Sequence, residues 1–83
     1  MYKFISIARN PINVWSTPMY VYQNEENKKY YITRMYPINA KFYGSKLEDP
    51  STYSVLEYPK EISDADIAKK TTTYWNIEWT IKL

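Results

Sequence analysis

Three Asp, six Glu, nine Lys, two Arg and ten Tyr are the groups of this chain that could move a proton or carry charge; there is no His and no Cys. That set removes imidazole and thiolate nucleophiles, zinc centres built from His and Cys, and disulfides. The single glycine, Gly44, rules out a phosphate loop made of several glycines. Carboxylate pairs remain. Glu25-Glu26 and Glu48-Asp49 are adjacent in sequence, but consecutive side chains need not converge as a glycosidase-type pair must, and each reads as a solvated turn. Asp64-Ala65-Asp66 lacks the glycine and the terminal bidentate Glu of a calcium loop. A small ribonuclease working without His would gather several cations on one phosphate, and only Arg9 and Arg34 offer the bidentate fork. The expectation is a protein that is not an enzyme and has no catalytic residues, no metal and no cofactor.

What the chain has in excess is aromatic surface: ten Tyr, three Trp and two Phe in 83 residues. Rings in such number must be placed by β-structure, because Tyr and the β-branched residues beside them favour strands. Residues 2–9 read as a first strand stopped by Asn10-Pro11, with Tyr2, Phe4, Ser6 and Ala8 sharing a face. Ile12 to Thr17, closed by Pro18, reads as an edge strand. A hairpin follows: strands over 19–23 and 29–36 flank the polar break Asn24-Glu25-Glu26-Asn27-Lys28. Pairing Gln23 with Lys29 sets Tyr22 opposite Tyr30 and Tyr20 opposite Ile32. One face of this hairpin then carries Tyr20, Tyr22, Tyr30, Ile32, Arg34 and Tyr36. Both faces are apolar enough to bury, so the hairpin is either central or a binding surface. Short strands are expected at 41–43 and 53–58.

One helix is signalled, near 63–70. Ser63 suits the N-cap, Asp66 the capping-box position, and Ile62 with Ile67 the hydrophobic staple. Asp64 and Asp66 lie at its positive end, Lys69 and Lys70 at its negative end. From Thr71 to Leu83 the alternation is strict, which predicts one long strand with Trp75, Ile77, Trp79 and Ile81 facing the core. Together these elements predict a single α+β domain over 1–83, an antiparallel sheet of about four to six strands with one short helix.

Charge and composition bear on partners. The net charge of +2 is small, yet residues 1–44 carry six Lys/Arg against two Glu, whereas 45–70 carry four Lys against six Asp/Glu. No run approaches the ~18 apolar residues of a membrane span, and the opening segment is too short for a signal core; a cytoplasmic protein, in a host cell or a virion, is expected. The Lys-, Ile-, Asn- and Tyr-rich composition resembles the product of an AT-rich genome. The leading expectation is a non-enzymatic protein-binding module, an accessory protein of a virus or mobile element that modulates a host protein. Its partner-binding residues would be Tyr20, Tyr22, Tyr30, Arg34 and Tyr36, since interface cores concentrate Tyr and Arg. Two alternatives use similar material. A single-stranded nucleic-acid binder would stack bases on these rings beside Lys28 and Lys29. A self-assembling subunit or homodimer would pair sheet edges.

Overall fold

The computed structural model describes residues 1–13, 15–44 and 46–83. Its elements run β1 (Tyr2–Arg9), β2 (Met19–Asn24), β3 (Tyr30–Thr33), β4 (Lys41–Tyr43), β5 (Lys46–Glu48), β6 (Thr52–Tyr53), β7 (Lys60–Ile62), α1 (Asp64–Lys69), β8 (Thr71–Tyr74) and β9 (Ile77–Ile81). Six strands form one antiparallel sheet in the order β7-β3-β2-β1-β9-β8, with β6 added on β1 and β4-β5 standing apart as a hairpin. The fold is therefore mostly β, with the single short helix expected. Among the described residues no helix is long and apolar enough to cross a membrane.

The sheet curls because all six strands supply one interior: Ala8, Met19, Val21, Ile32, Ile62, Tyr74, Trp79 and Ile81. Curling brings its two ends together, giving a nearly closed barrel. The Lys60 ammonium of β7 donates to the Thr73 carbonyl of β8, and the Tyr74 hydroxyl donates to the Tyr58 carbonyl just before β7. α1 bridges the same seam. Ser63 Oγ accepts from the Asp66 N–H at 3.2 Å, Lys70 ends the helix at φ 60°, and Asp66 accepts a 3.0 Å bond from Thr72 Oγ1 of β8. Ile62 is buried and Ile67 packs on the interior, as the staple requires.

A second apolar layer lies on the back of β1-β2-β3, where Phe4, Tyr20 and Tyr22 meet Leu47 and Leu56 from the chain that crosses behind. One extra residue lets β1 serve both layers. The pairing with β2 jumps between Phe4 and Ser6, a bulge that leaves Ile5 unpaired. Tyr2, Phe4 and Ile7 consequently pack in the back layer, Ile5 and Ala8 in the barrel. The expected face of Tyr2, Phe4, Ser6 and Ala8 is thus split.

The β2-β3 register differs from expectation by one residue. Gln23 pairs with Tyr30, Tyr22 with Tyr31, and Tyr20 with Thr33. Asn24 belongs to the strand rather than the break: its N–H donates to the Lys29 carbonyl, and its side-chain oxygen accepts from Glu26 and Asn27. Because side chains alternate, that single step moves Tyr30 and Ile32 to the barrel face.

The long final strand is in fact a hairpin. Trp75 and Asn76 occupy left-handed backbone at φ 54° and 59°, the two central positions of a type I′ turn. The inner face is Thr72, Tyr74, Trp79 and Ile81; Trp79 is core as expected, and Trp75 is not. Two other strands are corrected. Of 53–58 only Tyr53 is extended, paired through β6 to β1. The segment 12–17 makes asparagine-capped turns around Asn10 and Asn13 instead of an edge strand; Val14 lies outside the described residues.

Candidate functional site

The five expected binding residues are placed by the register just described. Tyr22 is fully buried and donates its hydroxyl to the Met35 carbonyl at 2.8 Å. Burial, reinforced by Tyr53, Asp49 and Tyr20, pushes its phenol far above the ordinary range. Tyr20 is also buried, with its ring edge-on to Tyr36 at 5.4 Å. Tyr30 packs against the barrel interior, on the opposite side of the sheet. Only Arg34 and Tyr36 are exposed. The five therefore do not form one open face. Tyr20 and Tyr22 are the support, and the accessible surface lies at the end of β3.

Three corners of the chain converge there: Thr33-Arg34 at the end of β3, Glu57-Tyr58 before β7, and Tyr74-Trp75 at the β8-β9 turn. The Thr33 hydroxyl donates to the Glu57 carbonyl, and the Tyr74 hydroxyl to the Tyr58 carbonyl. The Arg34 guanidinium lies 5.1 Å from the Trp75 ring centre, and Trp75 stacks on Tyr74 at 5.0 Å and 19°. Burial raises the Tyr74 phenol, opposed by the charge of Arg34. Beside Tyr36 opens an apolar cleft of about 350 Å³ lined by Met35, Tyr36, Ile38, Tyr53 and Glu57. Its inner wall is anchored by Tyr53, whose hydroxyl donates to the Asp49 carboxylate.

No family model, curated protein or solved structure matches the chain. The site must therefore be read from its own chemistry. Among the described residues no three acidic, His or Cys groups are grouped to hold a metal ion.

Two residues of this corner combine left-handed backbone with exposed aromatic rings. Tyr58 and Trp75 both sit at positive φ, 46° and 54°, a conformation that costs a bulky side chain about 1–3 kcal/mol. Both are also exposed, Tyr58 by 75% and Trp75 by 52%. Trp75 is covered on its two faces only by Tyr74 and Arg34, and both rings keep a large part of their surface open to water. Arg34 lies over Trp75, the Tyr58 carbonyl is bonded to Tyr74 beside it, and Tyr36, packed on Tyr20, borders the apolar cleft. Tyr, Trp and Arg are the residues that dominate binding energy at protein interfaces.

Sequence reasoning found Arg34 and Tyr36 in this cluster but missed Tyr58 and Trp75. Trp75 was hidden by the unbroken alternation of 71–83. Its one local signal is Asn76, a residue that tolerates left-handed backbone. Tyr58 carries no such signal beyond the proline that follows it.

Proposed function

We propose that this protein is a non-enzymatic protein-binding module that holds its partner through Arg34, Tyr36, Tyr58 and Trp75, with an apolar partner side chain seated in the adjoining cleft. The observation that carries this reading is the pair of exposed aromatic residues, Tyr58 and Trp75, held at positive φ on two segments that the Tyr74–Tyr58 bond joins. Rigid aromatic anchors bind at low conformational cost, because few rotamers are lost on contact. The composition adds the setting: an accessory protein of a virus or mobile element that occupies the working surface of a host protein. The test is affinity capture with wild type beside an Arg34→Ala/Tyr58→Ala/Trp75→Ala variant that keeps the wild-type circular dichroism. A partner held by wild type and released by the variant supports the proposal. A partner held equally by both sinks it.

A further inference from the structure

A second surface runs along β1, independent of the aromatic corner. Between β1, the β4-β5 hairpin and the chain after β9 lies a cleft of about 260 Å³. Its floor is apolar, from Ile7 and Leu47; Phe42 stands at its wall, and Arg9, Lys46 and Lys82 line it. Each cation comes from a different element whose backbone is held in place. Arg9 ends β1 opposite Thr80 of β9. Lys82 is tied to β1 at both backbone groups, its N–H donating to the Ile7 carbonyl at 2.9 Å and its carbonyl accepting from the Ser6 hydroxyl. Lys46 opens β5 opposite Tyr43.

Among the described residues no carboxylate lines this cleft, and neither Arg9 nor Lys82 has an ion-pair partner. Three like charges around one concavity repel one another and raise the local concentration of anions. The net charge of +2 conceals this concentration. At Lys46 the cleft continues into a second one, of about 360 Å³, whose rim adds Lys3 and Tyr43. Glu48 lies there too, 4.0 Å from Lys46, while Asp49 is occupied by the Ser51 N–H and the Tyr53 hydroxyl. From Lys3 to Arg9 the groove follows β1 for about 20 Å at the usual strand rise. Phe42 and Tyr43, 66% and 62% exposed, border it. A lone phosphate would fill one cleft; a run of cations beside exposed rings fits a ligand that repeats anion and flat ring.

We propose that this groove binds single-stranded nucleic acid, with phosphates on Arg9, Lys46 and Lys82 and a base stacked on Phe42. The test is fluorescence anisotropy of a labelled oligothymidylate of about ten nucleotides, a length such small β-domains cover. It is run at low and rising salt with the full chain. Wild type should bind with affinity that falls as salt rises, and Lys46→Gln and Lys82→Gln should each reduce the slope of log affinity against log salt by about 0.7. Phe42→Ala should weaken binding about fivefold or more. Lys28→Gln/Lys29→Gln, in the exposed β2-β3 turn, should bind as wild type does. The proposal is overturned by absence of binding at low salt, or by equal loss in the turn variant. Displacement of the oligonucleotide at matched ionic strength by inorganic phosphate more than by chloride, or by polyglutamate as well as by unlabelled oligonucleotide of equal charge, overturns it too, showing a small-anion or acidic-protein site instead.

Discussion

The guanidinium of Arg34 lies over the indole of Trp75, 5.1 Å from its centre, although β3 and β8 are not neighbours in the sheet. The contact crosses the seam of the barrel from outside, where the Lys60 and Tyr74 bonds cross it from the strands themselves. An exposed pair of this kind contributes about 0.5–1 kcal/mol. Together with the stack of Trp75 on Tyr74 it roughly offsets the cost of holding Trp75 at φ 54°, so the tryptophan contributes little net stability.

Trp75→Asn should therefore leave stability within about 1 kcal/mol of wild type, since a type I′ turn favours Asn at that position. Partner capture should fall sharply in the same variant. Thermal melting and capture measured side by side decide the matter. A stability loss as large as a core truncation would show that the indole is retained for folding.

Trp79→Ala should behave in the opposite way. Trp79 is buried and its indole N–H donates to the Tyr74 carbonyl at 3.1 Å. Truncation leaves a cavity in the barrel and removes one hydrogen bond, for a loss of about 3–5 kcal/mol. Urea unfolding would measure it against a total of about 5–15 kcal/mol for a domain.

Alkaline pH should unfold the protein. Burial raises the phenols of Tyr20, Tyr22, Tyr53 and Tyr74 above the ordinary value of 10.0. The folded state then holds protons that the unfolded chain releases, so this contribution is complete below about pH 10 and declines as pH rises above it. Tyrosinate absorbance should show these four ionising only as the circular dichroism is lost. Ionisation of all ten with the fold intact would contradict the burial of the back layer.

Tyr74→Phe should loosen the seam. It deletes the hydroxyl that donates to Tyr58, at a cost of about 1 kcal/mol. Hydrogen exchange should accelerate first in β7 and β8, with β1 and β2 unchanged. Uniform acceleration would mean that the bond does not act at the seam.

The sequence made plain whatever was locally determined. The helix and its caps were legible because Ser63, Asp66 and the Ile62-Ile67 pair lie within six consecutive residues. The first strand, the β2-β3 hairpin and the β4 strand were legible from composition and breaks. Register was not, because it depends on Asn24 folding its side chain back over the turn, which makes the loop one residue shorter than its polar run. The β8-β9 turn was invisible for a related reason: without a glycine, Trp75-Asn76 prolongs the apolar-polar alternation instead of interrupting it. The candidate corner joins residues 34, 58 and 75, and no pattern along the chain could have joined them.

The bulge at Ile5 has an effect beyond geometry. By sending Phe4 and Ile7 one way and Ile5 and Ala8 the other, it makes β1 a party wall between two rooms. Neither room has another wall at that place, so neither can be emptied while the other stands. A single inserted residue thus ties the barrel and the layer behind it into one cooperative unit, and the protein should melt in one step.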